Sequence, residues 1–234
     1  MDISPLANEV RAASDVASRY WATRLNPPRA STNAADGERG PVIISVDVGQ
    51  VSDYTAILVC EIIKREDSEG VTRNHYNVRH IERIRGVSYQ TQVDRCKQIY
   101  DKLNREARFI VDASGARPIF DLFRNAGLPI LPISITAGTS SRIEHGYGYV
   151  SKLELATLLQ VISSAGRIHL PPKSKYSKTI LDEARAFSLS VSDSGNLKFA
   201  ADGSGHDDLI MSLCYLLWLG ERGLGERRPK VQWI

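Results

Sequence analysis

The stretch VIISVDVGQVSDYTAILVCEIIK, residues 42–64, decides the fold. Its first part, VIISVDV (42–48), is an almost unbroken apolar run rich in β-branched residues, with the acid Asp47 near its end. Such a run suits a strand buried on both faces. TAILVCEIIK (55–64) follows after a short loop, which predicts a hairpin. HYNVRHIERIRG (75–86) alternates roughly and reads as a third strand.

Beyond these strands the period changes. Residues 88–105 place Val93, Ile99, Tyr100 and Leu103 on one helical face. RFIVDAS (108–114) is a short apolar strand ending in an acid. Residues 117–126 read as a helix stopping at Gly127. LPILPISI (128–135) is a fifth strand, and its two prolines predict an edge or irregular strand. The Gly- and Ser-rich segment 136–149 reads as a mobile loop with the character of a flap. Residues 151–166 form an amphipathic helix ending at Gly166, and 175–187 another. SLSVSDSGNLKFAA (188–201) predicts a hairpin turning at Asp193–Asn196, and HDDLIMSLCYLLWLG (206–220) a largely apolar helix opening on two acids. Three meandering strands followed by βαβ units predict an α/β domain, a mixed sheet with helices on both faces.

That domain is expected over 41–220. Residues 1–26 have helical spacing and 27–40 the composition of a linker, and 221–234 is a charged tail. The chain of 234 residues is 42% apolar, enough for a full core. Thirty basic against 27 acidic residues leave a net charge of +3, a mild lean toward anionic partners. Cys60, Cys96 and Cys214 form no CxxC, which argues against a disulfide scaffold or structural zinc and favours a reducing compartment. No run of 18 apolar residues predicts a membrane span, the first residues do not read as a signal peptide, and no GxxxxGK[ST] is present.

The acids carry the chemistry. Asp47 and Asp112 each end an apolar strand, and Asp207 and Asp208 open the last helix. An ionised acid in so apolar a run is costly unless paired or bound to a cation. Two strand-end acids at one sheet edge, joined by a helix-start pair, would repel unless a divalent ion lay between them. Carboxylate ligands alone favour Mg²⁺ or Mn²⁺, and two such ions clamp the attacking and leaving oxygens of a phosphodiester. Each acid also has an ordinary role open to it: Asp47 as a turn residue, Asp112 as a helix cap, Asp207 and Asp208 as partners of the helix dipole.

VDVGQVSDYTAI (46–57), IVDASG (110–115), VSKLEL (150–155) and GHDDLIMSLCYLLW (205–218) together resemble the nuclease domain of the large terminase subunit of tailed double-stranded DNA bacteriophages. The resemblance covers about 41–220. It implies a ribonuclease H-like fold and a two-metal endonuclease cutting concatemeric viral DNA during packaging, with little sequence preference. Asp47 would bridge two Mg²⁺ or Mn²⁺ ions, Asp112 would be the second ligand, and Asp208 or Asp207 the third. Asp53 would be an auxiliary ligand or a turn residue, and Lys152 and His206 auxiliary groups near phosphate or water. Residues 1–40 would connect to an ATPase motor. Partners would be double-stranded DNA, that motor, the small terminase subunit and the portal, in the host cytoplasm and without a membrane.

Candidate phosphate contacts are Arg79, Arg83 and Arg85, which alternate and so should share a face, with Arg142, Lys173, Lys175 and Lys178. Three rival readings remain. A junction-resolving nuclease would select branched DNA, an actin-like kinase domain would bind ATP, and a non-catalytic DNA-binding module would not cut with metal.

Overall fold

The computed structural model describes residues 40–50, 52–67, 69–112, 114, 118–191, 197–201 and 206–223. The expected N-terminal helix and linker (up to residue 39), the turn at 193–196 and the tail from 224 lie outside them. In chain order the elements are β1 (Val42–Asp47), β2 (Tyr54–Glu66), β3 (Thr72–Arg85), α1 (Tyr89–Lys102), β4 (Ala107–Asp112), α2 (Ile119–Asn125), β5 (Ile130–Thr136), β6 (Arg142–Glu144), β7 (Tyr147–Ser151), α3 (Lys152–Ser164), β8 (Ile168–His169), α4 (Lys175–Ala186), β9 (Phe187–Val191), β10 (Leu197–Ala201) and α5 (Asp208–Glu221).

Eight strands form one sheet in the order β6-β7-β5-β4-β1-β2-β3-β8, and β9 and β10 pair separately as the expected antiparallel hairpin. The apolar run of β1 lies near the centre, antiparallel to β2 and parallel to β4. Alternation along each strand splits the apolar residues between two cores. Ile43, Leu58, Ile110 and Ile133 pack with α3, α4 and α5 on one face. Ile44, Val46, Ile57 and Phe109 pack with α1 and α2 on the other. The mixed sheet with helices on both faces is therefore as the sequence predicts. Gly166 ends the α3 turn with φ +64°, the left-handed backbone that a helix stop favours. Among the described residues no helix is long and apolar enough to cross a membrane.

Three expectations need correction. Within the expected loop 136–149, residues from 142 on are a hairpin instead: β6 and β7 pair at the sheet edge, turning through His145 and Gly146, both at positive φ. A type I′ geometry needs only those two residues, so a Gly-rich composition conceals the strands. β5 is internal, between β4 and β7; its ladder to β7 begins at Ile133↔Gly148, one residue after Pro132, so the missing donor falls where that ladder has not started. Finally, a bulge shifts the β2–β3 register: Val59 pairs with His80 and Cys60 with Val78. Arg79 is the extra residue, and it reaches Glu61 through a 2.7 Å contact. It therefore leaves the face it would have shared with Arg83 and Arg85.

The short strand β8, absent from the sequence reading, closes the other sheet edge against β3. There the His75 and His169 rings stack with centroids 5.3 Å apart, and Nδ1 of one lies 3.0 Å from Nε2 of the other. Burial, then Arg65 and the other ring, lowers His169 from an ordinary 6.5 to about 4. The fold keeps this ring neutral while the unfolded chain protonates it, so its contribution is full above 6.5 and is lost as pH falls through about 4. The melting temperature of wild type is expected to drop more steeply from pH 6.5 to 4 than that of His169→Asn, with parallel curves above pH 7. Parallel curves throughout would remove the effect.

Candidate active site

Parity aims the acids. Asp47 is four residues from Ile43 and Asp112 two from Ile110, so both side chains leave the sheet on the face covered by α5. The parallel register pairs Asp47 with Asp112 directly, one strand spacing apart. α5 begins over this edge, with Asp207 as its N-cap and Asp208 in its first turn. Two buried hydroxyls lock the helix to β1: the Oγ atoms of Ser45 and Ser212 lie 2.7 Å apart, and each contacts the other residue's carbonyl. Gly49 lets the chain turn away from β1, because a Cβ there would lie 2.3 Å from the Tyr54 carbonyl oxygen.

These elements border a cavity of about 360 Å³ lined by Asp47, Asp53, Tyr54, Asp112, Ser114, His206, Asp207 and Asp208 with residues 48–50. Asp112 is held on both oxygens. Ser114 donates to Oδ1 from its amide (2.9 Å) and hydroxyl (2.5 Å), and Tyr215 donates to Oδ2 at 2.9 Å. It caps no helix; the N-cap of α2 is Pro118. Burial pushes its carboxyl up despite these donors. Burial, followed by the charges of Asp112, Asp207, Asp208 and Glu183, pushes Asp47 well above the usual carboxylate range.

Glu183, on α4, was not foreseen. Its Oε2 accepts the Ile210 amide at 2.9 Å, so a glutamate from another helix caps α5, and Asp207 makes no side-chain cap bond. Burial first, opposed by that bond, raises Glu183 to about 7. Arg83 lies 2.7 Å from Asp208 Oδ1 and 3.4 Å from Glu183 Oε1, with its guanidinium 4.1 Å from the centre of the Tyr54 ring. It is a partner of the acids, only 13% exposed, and not the free phosphate contact expected. Asp208 Oδ2 is buried and has no hydrogen-bond partner among the described residues.

The structure thus brings Asp47, Asp53, Asp112, His206, Asp207 and Asp208 to one cavity. His206 meets the Tyr54 ring edge-on at 4.8 Å. Lys152 opens α3 and does not line the cavity. Arg85 is exposed beside Tyr54 and donates to the Ser52 carbonyl. Arg142 pairs with Glu144 on the edge hairpin, Lys175 lies against Tyr176, and Lys173 and Lys178 are exposed.

The donor set is oxygen-rich and short of positive charge, which fits a hard divalent cation. Among the described residues no three Asp, Glu, His or Cys side chains meet at one point; Ser114 and Tyr215 hold Asp112, and Arg83 holds one oxygen of Asp208. The unpartnered Asp208 Oδ2 and the crowded Asp47 are the groups a cation would relieve.

The mixed sheet with helices on both faces has a ribonuclease H-like α/β fold. The particular likeness is to the large subunits of viral terminases. No protein-family model matches the chain. It is 27% identical over 193 residues to the terminase large subunit of Thermus phage G20c, a match covering 80% of this chain and 34% of that protein. The chain therefore spans about a third of the curated relatives it matches. The crystal structure of the large terminase nuclease from thermophilic phage G20c superposes with a TM-score of 0.59 at 24% identity, over 76% of this chain and 81% of that one. The human cytomegalovirus terminase nuclease domain, Mn soaked, superposes with a TM-score of 0.52 at 13% identity, over 86% and 93%.

Proposed function

We propose that the chain is a metal-dependent endonuclease domain of a large terminase subunit, cutting concatemeric viral double-stranded DNA during genome packaging with little sequence preference. The observation that carries this reading is the register pair Asp47↔Asp112, facing the acidic start of α5 across one cavity. The relatives support it, one nuclease structure of phage G20c being described with bound magnesium and the cytomegalovirus domain as Mn soaked.

Asp47, Asp112 and Asp208 would hold two Mg²⁺ or Mn²⁺ ions, with Asp207 and Asp53 at the margin. When bound, such ions activate water and stabilise the leaving oxygen of a phosphodiester. The protein supplies orientation. Tyr215 keeps its proton, since burial and the nearby acids raise its pKa, and so remains a donor fixing the Asp112 carboxylate. His206 and the exposed Arg85 stand on Tyr54, at the cavity wall, within reach of an incoming phosphate. Arg142, Lys173, Lys175, Lys178 and Lys152 would contribute diffuse attraction to the duplex. Residues 1–40 would lead to an ATPase motor, 41–220 would be the nuclease and 221–234 a tail. The small subunit and portal would be partners in the host cytoplasm.

The test is cleavage of supercoiled plasmid with Mn²⁺, Mg²⁺ or EDTA. Nicking and linearisation are expected with either metal and none with EDTA. Folded protein that cuts in neither metal would refute the reading for this domain.

A further inference from the structure

We propose that Arg83 is a positioning residue that selects Asp208, rather than its neighbour Asp207, as the metal ligand at the start of α5. The inference rests on the metal-dependent reading above and assigns a role within it.

Arg83 reaches the site from β3. The register Asp47↔Ala56↔Arg83 sets it level with Asp47, two strands away, or about 10 Å. Its guanidinium is fixed on three sides: the Tyr54 ring beneath it at 4.1 Å, Asp208 Oδ1 at 2.7 Å and Glu183 Oε1 at 3.4 Å. Both acid contacts come from one nitrogen, Nη2, and the Tyr54 ring keeps the guanidinium plane that carries it in place, so the Asp208 carboxylate is held through Oδ1. Of the two Asp208 oxygens, Oδ1 is thereby occupied and Oδ2 is left buried with no partner among the described residues. A buried carboxylate oxygen without a partner is costly, and Asp208 borders the cavity it shares with Asp47. A cation bound against Asp208 would supply the partner that Oδ2 lacks. Glu183 caps the Ile210 amide, the bond that the N-cap residue Asp207 would ordinarily make, and so fixes the start of α5 without using either aspartate. Among the described residues Asp207 has no such clamp, and it is partly exposed.

A positive charge beside a cation site should, by Coulomb's law alone, weaken cation binding. Orientation acts in the opposite sense, and the two separate experimentally. The double variant Arg83→Met/Glu183→Gln removes the Arg83 charge together with whatever charge Glu183 carries, leaves no buried unpaired glutamate and keeps an acceptor for Ile210. A purely electrostatic role predicts unchanged or tighter binding for it, whereas a positioning role predicts a loss.

The experiment titrates Mn²⁺ into the full chain without DNA, following free Mn²⁺ by electron paramagnetic resonance, with circular dichroism melts to verify folding. We expect the double variant to bind Mn²⁺ about 10- to 100-fold more weakly than wild type, the usual cost of losing a group that orients a metal ligand. Arg83→Lys should fall between them. Asp208→Asn should lose most of the binding and Asp207→Asn little. Unchanged or tighter binding by the folded double variant, or equal losses at Asp207 and Asp208, would overturn the assignment while leaving the metal site standing. Wild type that fails to bind Mn²⁺ would overturn both.

Discussion

Asp47→Asn is expected to abolish DNA cleavage and, in the absence of metal, to make the protein more stable. The carboxyl of Asp47 is the most crowded in the molecule's acidic cluster, with burial and four acidic neighbours all opposing its ionisation. Asparagine has nearly the same shape and no charge, so folding no longer forces like charges together. A gain on the order of 1 kcal/mol, or about 2–4 °C in melting temperature for a chain of this size, is expected in EDTA. Activity moves the other way. An ion between the strand acids is worth several kcal/mol to the transition state, and each 1.36 kcal/mol is roughly tenfold in rate, so a fall of about 10³ or more is expected. Added Mg²⁺ should stabilise wild type and not the variant, reversing their order, because a ligand stabilises only the state that binds it. Melts with and without Mg²⁺, beside plasmid nicking, check both halves. A variant that cuts normally, or melts lower in EDTA, would contradict the role given to Asp47.

Trp218→Ala is expected to be the most damaging core truncation while sparing the site. Residues 208–220 of α5 are buried throughout, as in a helix enclosed between layers rather than lying on a surface. Trp218 is fully buried and packs beside Gly148, where a Cβ would make an ordinary 3.5 Å contact with the indole and a 2.9 Å clash with Ile133. Arg222 covers the ring at 4.5 Å. Truncation should cost roughly 3–5 kcal/mol, or about 10 °C. Trp218→Phe should cost less, since the indole nitrogen has no hydrogen-bond partner among the described residues. Trp218 lies ten residues along α5 from Asp208, about 15 Å, so cleavage by the protein still folded at low temperature should survive. Urea unfolding with parallel activity assays tests this; a loss below 1 kcal/mol would contradict the packing argument.

The central strands were legible because their chemistry is local. A β-branched run ending in an acid can hardly be read otherwise, and the period of two sends Asp47 and Asp112 to one face once the strands pair. The helix-start acids were legible for the same reason. What escaped depends on pairing across the fold. Glu183 sits beside Asp182 on an amphipathic helix and looks like part of a solvated face; only α5 and Arg83 make it an interior group. Arg79 obeys the alternation of β3 on paper, and only the β2 register reveals the extra residue. The edge hairpin at 142–151 was hidden by glycines and serines that the turn and close packing require. β8, two residues long, has no periodicity to detect.

The pair of serine hydroxyls between β1 and α5 also works as a ruler. From the clasp to the acidic centre, the strand advances two residues from Ser45 to Asp47, about 6.6 Å at its rise of roughly 3.3 Å. The helix runs the opposite way, and its four residues from Ser212 back to Asp208 cover about 6 Å. Two different rises arrive at nearly the same height, so one polar contact levels the carboxylates of two separate elements. Apolar surfaces alone would let the helix slide in small steps with little penalty. The hydroxyls permit a single notch, because any other setting strands both of them in a dry interior, at about 1–3 kcal/mol each. Alignment of the acids is thus built into the interior of the domain before any ion arrives.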